Sequence, residues 1–134
     1  MIKDEPRNAR SRRLAKALAA PGRRHAYMAT QLKSFLSDQI RTLRGDLTQR
    51  EFGDKIGKPQ SVVSRLEKQL DQHISVQTLI DIAVKLDIAV IIRFVDFTTF
   101  LRYTEDYSDK ALAPSAYDQA AIYALAEEEE TVLR

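Results

Sequence analysis

The segment Leu47–Glu67 constrains the fold most, because it carries the signals for two short helices joined by a tight turn. Thr48 and Glu51 have the spacing of a capping box, in which the threonine side chain accepts from a first-turn amide and the glutamate reaches back to the threonine amide. Gly57 can end a helix by adopting positive φ. Pro59 suits a new helix start, because the amide that it lacks would be unpaired there. We therefore predict one helix on each side of Gly57, the second running to about residue 68.

Residue size in this segment indicates how the two helices pack. Gly53 is expected where they come closest, since a bulky side chain there would push them apart. Apolar residues at helical spacing are expected to fix the crossing angle. These residues are Phe52, Ile56, Val63 and Leu66.

Further helices are predicted on both sides. Helix-forming composition from Ser11 to Ala20 stops at Pro21-Gly22. Apolar residues three and four apart mark one buried face from Tyr27 to Arg44. Ser75 is a suitable cap for a helix to residue 86. The inner face of that helix is assigned to Val76, Leu79, Ile80, Ala83 and Leu86.

Ile88 to Val95 is rich in β-branched residues, so we predict a strand. No partner for it is identifiable in the chain, and an unpaired apolar strand needs cover. The simplest cover is the same strand of a second chain about a two-fold axis, which predicts a homodimer. Pairing with the C-terminal tail, or a core extension that is not a strand, is the alternative. The dimer contact is assigned to Val90, Ile92, Phe94 and Phe97.

Charge is distributed unevenly along the 134 residues. Residues 1–70 contain 16 Lys and Arg against 7 Asp and Glu, a net of +9, and residues 71–134 contain 5 against 12, a net of −7. A basic half is the electrostatic footprint of a protein that binds a polyanion. Solvated helix faces would give the same composition.

Composition excludes several classes of site. The chain has no cysteine, so neither disulfides nor thiolate metal sites are possible. No Asp, Glu and His spacing suggests a metal centre, and neither a phosphate-binding glycine loop nor a serine nucleophile elbow is present. We expect no catalytic residue, no metal and no cofactor, and hence no enzyme activity.

Five short motifs together are similar to the XRE (lambda Cro/C1-type) family of prokaryotic and phage helix-turn-helix regulators. The resemblance covers roughly residues 39–88 and is specific only as a set. It implies a mainly α protein: a five-helix, lambda-repressor-like domain, followed here by the single strand and a helical C-terminal tail. The motifs are Leu47-Thr48-Gln49, Phe52-Gly53, Ile56-Gly57, Val63-Ser64-Arg65-Leu66-Glu67 and Leu86-Asp87-Ile88.

The resemblance implies a role for each matching position. The predicted helix at 59–68 would enter the major groove and read bases with Gln60, Ser61, Ser64 and Arg65. Phosphate contacts are assigned to Gln49, Arg50, Lys55 and Lys58. Arg44 and Glu67 are expected to form a structural brace between helices. Lys58 departs from the family, which usually has an apolar residue there.

These predictions divide the chain into four parts: a basic leader at 1–26, the DNA-binding domain at 27–87, a dimerisation strand at 88–97 and an acidic helical tail at 98–134. The leader is either a flexible arm along the DNA or a helix packed on the domain. The subgroup with a following apolar strand includes toxin–antitoxin regulators. We expect a dimeric repressor of a palindromic operator, or an antitoxin whose C-terminal region neutralises a toxin partner.

The expected location is the cytoplasm of a prokaryotic cell, with a phage gene also possible, at the nucleoid when bound. No apolar run approaches the ~20 residues of a membrane helix, and the N-terminus lacks a signal-peptide core. We therefore expect double-stranded DNA as the partner and no membrane.

Overall fold

A computed structural model describes residues 9–68 and 73–132 of the chain. Arg7 and the other residues at 1–8, which belong to the predicted leader, lie outside the described residues, as do 69–72 and 133–134. The described part contains eight helices. They are α1 (Ala9–Ala19), α2 (Pro21–Arg44), α3 (Gln49–Ile56), α4 (Gln60–Glu67), α5 (Val76–Leu86), α6 (Phe97–Thr104), α7 (Asp109–Leu112) and α8 (Gln119–Val132).

Local signals set the limits of α3 and α4, as predicted. The Thr48 hydroxyl accepts from the Glu51 amide at 3.1 Å, and the Glu51 carboxylate accepts from the Thr48 amide at 3.0 Å. The bond that the Glu51 carboxylate accepts from the Thr48 amide, and after it the one from the Thr48 side chain, lower the pKa of Glu51. Gly57 ends α3 in the left-handed conformation, with φ of 70°. Pro59 is the extended residue directly before α4.

Gly53 lies at the contact between α3 and the residues that lead into α4. A Cβ atom at this position would be only 2.5 Å from the backbone carbonyl oxygen of Lys58. No real Cβ atom tolerates that distance, and the obstacle is backbone rather than a flexible side chain. The predicted requirement for a small residue is confirmed.

The core lies where α2, α3, α4 and α5 meet. The four residues predicted to fix the crossing of α3 and α4 are all buried, with Phe52 and Val63 fully inaccessible. The prediction for α5 was less accurate. Ile82 is buried but was not assigned inward, whereas Val76 is 55% exposed. The inner face of α5 is therefore turned by about one residue from the predicted one.

Helix α2 is longer than the sequence predicted. Pro21 and Gly22 do end α1, but Pro21 is also the first residue of α2, where its missing amide costs nothing. The helix continues without interruption for 24 residues to Arg44, a length of about 36 Å at 1.5 Å per residue. It thus crosses the predicted limit between leader and domain at residue 26.

The predicted strand at 88–95 is wrong. No residue of the described ranges is in a β-strand, and 88–96 is irregular chain between α5 and α6. The reason is that β-propensity reflects packing in a sheet, and the part of the chain that the structure describes offers this segment no sheet to join. The side chains of residues 89–96 are instead exposed.

The C-terminal half folds back along α2. Side chains of α2 donate to acceptors in and after α6 and α7, at 3.0–3.2 Å. The pairs are Tyr27 with Glu105, Gln31 with Thr104 and Gln39 with Ala111. By contrast, α8 exposes every side chain described from Gln119 to Glu130. None of the described helices combines the length and apolar character that a bilayer span requires.

The contact at Gly53 gives a test of the fold. Gly53→Ala should destabilise the protein by about 1–3 kcal/mol, because the backbone must move to admit the methyl group. Thermal unfolding followed by circular dichroism measures this loss. Gly22→Ala is the matched control, since no atom lies within 4 Å of its new Cβ. Equal unfolding temperatures for the two variants would contradict the close approach.

Candidate nucleic-acid interface

The side chains predicted to read bases share the solvent face of α4. Gln60, Ser61 and Arg65 are exposed and Ser64 is half-buried. At about 100° per residue these four positions cover one arc of the helix, and the apolar residues that anchor α4 in the core occupy the opposite arc. Helix α4 therefore presents a polar face while its other face is held.

The C-terminal end of α4 is capped by side chains of α2. The buried Ser37 hydroxyl donates to the Leu66 carbonyl at 3.0 Å, and the Arg41 guanidinium donates to the Glu67 carbonyl. These carbonyls have no partner within the helix, and a cation at this end complements the helix dipole. Sequence reasoning missed both contacts. For Ser37 a signal existed, since it lies three residues before Ile40 on the inward face of α2.

Glu67 is the buried charge at the centre of this arrangement, with 3% of its surface exposed. Its two carboxylate oxygens accept separate bonds: one from Arg44 Nε at 2.6 Å and one from Gln49 Nε2 at 2.6 Å. Arg44 also donates to the carbonyl of Leu47. The structure thus brings together the two residues predicted as a brace, and adds Gln49, which was predicted as a phosphate contact.

Lys58 is also engaged within the protein. Its ammonium lies 2.8 Å from Asp81 of α5, whose other carboxylate oxygen accepts from Gln77 at 2.9 Å. These bonds, chiefly that from Lys58, lower the pKa of Asp81. No pattern in the sequence pairs Lys58 with Asp81. Lys58 ties the turn between α3 and α4 to α5, and its assignment as a phosphate contact stays a prediction.

The remaining predicted phosphate contacts, Arg50 and Lys55, are exposed on α3. Neither takes part in a salt bridge within the described ranges. Arg50 lies in the first turn of α3, where free backbone amides and the helix dipole attract anions. The two cations and the helix start form a surface suited to phosphate groups.

The residues predicted for a dimer contact lie in and after the irregular segment. Val90 and Ile92 are 42% and 59% exposed, and Phe94 is completely exposed. Phe97 is half-buried at the start of α6. Within 9–68 and 73–132 the structure brings no three His, Asp or Glu side chains into a group that could hold a metal ion.

Comparison with known proteins gives a match that includes α3 and α4. The family model described as helix-turn-helix matches residues 39–90, from the second half of α2 to just after α5. The match covers less than half of the chain. No curated protein and no solved structure gives a significant match.

The buried carboxylate gives a second test. Glu67→Ala should cost about 3 kcal/mol of stability, the lower end of the range for breaking a buried pair, because Arg44 keeps some access to water. Chemical denaturation measures the loss. Asp54→Ala, which removes an exposed carboxylate of α3, is the control and should change stability by less than about 0.5 kcal/mol. A Glu67→Ala variant as stable as wild type would refute the brace.

Proposed function

We propose that the protein is a sequence-specific regulator of transcription that reads the DNA major groove with α4, because residues 39–90 match the helix-turn-helix family model. The observation that carries this proposal is the two-sided character of α4. Its polar face is free for base edges, while its apolar face and its C-terminal end are held by the core and by α2.

Specific readout is assigned to two long side chains. Gln60 begins α4 and can pair with an adenine through both its amide donor and its carbonyl acceptor, and Arg65 can bind a guanine with two donors. Each such pair contributes about 1–3 kcal/mol of discrimination. Ser61 and Ser64 lie between them on the same face and add shorter contacts.

Orientation on the duplex is assigned to phosphate contacts from α3. Arg50, Lys55 and the amides at the start of α3 bind backbone oxygens, which position the protein without reading sequence. Gln49 contributes through its place in the first turn, while its side chain fixes Glu67. Lys58 is the weaker candidate, because its ammonium would have to share or leave Asp81.

We assign the exposed apolar segment 90–95 to contact with a second copy of the chain. Ile91, Ile92 and Phe94 expose between 59% and 106% of their surface. An apolar surface of this kind on a folded protein marks an interaction site. A two-fold dimer would place two α4 helices about one DNA turn (~34 Å) apart on a near-palindromic operator.

An apolar groove beside this segment supports the same assignment. It lies between α2, α5 and residues 88–90, and is open to solvent. Phe94 of a second copy is the fully exposed aromatic group available to fill it. The residues that line the groove include Leu36, Leu43, Leu79, Ile88, Val90 and Pro114.

The regulator is assigned as a repressor that occludes a promoter. The antitoxin alternative is favoured by α8, whose apolar first half exposes Ile122, Tyr123 and Leu125 and whose second half is acidic. A basic protein partner would fit such a helix. Gene neighbourhood discriminates between the two: a small co-transcribed reading frame favours the antitoxin, and a divergent promoter favours the repressor.

Selection of bound fragments from a random DNA pool tests the readout. Wild type should enrich an inverted repeat. Arg65→Ala should lose about 1–3 kcal/mol of discrimination at one base pair of each half-site, and Gln60→Ala should do so at another. Arg102→Ala and Gln119→Ala are the matched controls outside the domain and should enrich the wild-type motif. Unchanged motifs for Arg65→Ala and Gln60→Ala would remove α4 as the reader.

Sedimentation equilibrium tests the second copy. Wild type should sediment as a dimer at micromolar concentration. Phe94→Ser should shift the equilibrium towards monomer, because it removes a large apolar group from the contact. Tyr123→Ser, which removes another exposed aromatic ring, should leave the dimer intact. A monomeric wild-type chain contradicts the assignment.

A further inference from the structure

The first two helices carry a cationic surface that the helix-turn-helix does not use. From residue 9 to residue 37 the sequence contains seven Lys and Arg and no Asp or Glu. All of this stretch precedes the segment that matches the family model, which begins at residue 39. We propose that the outer face of α1 binds DNA phosphates beyond the base pairs that α4 reads.

Helix α1 is two-sided in a way that suits this role. Leu14, Ala17 and Leu18 are half-buried on the side of α2. Arg12, Arg13 and Lys16 are exposed, and together they span about 100° of the opposite side. None of these three cations forms a salt bridge with a carboxylate of the described residues. Their charge is therefore available to an external polyanion.

The corner between α1 and α2 is fixed by hydrogen bonds. The Arg24 guanidinium donates to the carbonyls of Leu18 and Ala19 at 3.4 and 3.2 Å, and the Arg24 amide donates to Ala20. These bonds satisfy the free carbonyls at the end of α1. The cationic face is thus held on α2 as a helix, which favours the second of the two forms considered for the leader.

Helix α2 connects this face rigidly to the recognition helix. Its far end, at Arg44, is bonded to Glu67 of α4, and its length is about 36 Å. Helix α1 is only about 16 Å long, so its cations stay on the half of α2 that is distant from Arg44. They cannot touch the base pairs under α4. When the protein is bound to DNA, the polyanion closest to the cations of α1 is the phosphate backbone of the flanking duplex.

The same geometry argues against a lipid surface. A helix that binds a bilayer interface inserts a free apolar face below its cations. In α1 the apolar residues face α2, and the side turned to solvent presents Arg12, Arg13 and Lys16. Exposed cations without an adjacent apolar surface can bind the phosphates of a duplex, because that contact requires no insertion.

The proposal rests on the proposed function, and salt dependence of DNA binding tests it. The full chain and the double variant Arg12→Gln/Lys16→Gln are titrated against a mixed-sequence duplex of about 40 bp and one of about 16 bp, enough for two half-sites one turn apart. On the long duplex the variant should have a log–log salt slope shallower by about 1.8, at about 0.9 per lost phosphate contact. Its affinity deficit should shrink about 12-fold between 50 and 200 mM salt.

Arg102→Gln/Lys110→Gln is the matched control, because it removes one Arg and one Lys from exposed positions of α6 and α7. It should keep the wild-type slope, and the difference between the two variants should vanish on the short duplex.

Equal salt slopes for the Arg12→Gln/Lys16→Gln variant and wild type on the long duplex overturn the proposal, as does an affinity deficit of equal size on both duplexes. A wild-type chain that binds neither duplex refutes the proposed function itself, so the two failures are distinguishable. Loss of binding to anionic vesicles with unchanged DNA slopes assigns the face to lipid and also overturns it.

Discussion

The bonding of the buried Glu67 carboxylate is the interaction on which the position of α4 depends. A buried carboxylate is tolerated only when its oxygens are fully bonded. Arg44 from α2 and Gln49 from α3 supply those bonds at 2.6 Å each. The need to satisfy one charge therefore ties two helices, α2 and α3, to the end of α4. The position of α4 relative to α2 and α3 follows from that need as much as from apolar packing.

A second ion pair holds the turn between α3 and α4. Lys58 stands where an apolar residue would otherwise cover the turn between α3 and α4, and its ammonium reaches Asp81 on α5. The partly exposed pair contributes modest stability by itself. Its effect is positional, since it connects the turn to the helix that closes the core. Two charged contacts thus fix the turn before α4 and the end of α4.

The parts that could be predicted from the sequence are those whose causes are local. The capping box at Thr48, the positive φ of Gly57 and the small residue at Gly53 each follow from a few neighbours in the chain. The partners of Gln49 and Lys58 lie 18 and 23 residues away, and side-chain type alone gives no register for such contacts. The strand at 88–95 failed for a related reason, because a strand exists only with a partner. The residues assigned to bases and phosphates follow from resemblance to a family, which supplies the pattern that local signals lack.

Because α2 is uninterrupted, the folding unit is larger than the segment that matches the family model. The segment that matches the family model begins at residue 39, in the last quarter of a helix that starts at Pro21. The earlier turns of α2 receive α6 through Tyr27 and Gln31, and the Tyr117 amide bonds the carbonyl of Asp87 at the end of α5. Local unfolding of the C-terminal half would therefore strip contacts from the helix that caps α4. Cooperativity in this protein therefore extends beyond residues 39–90.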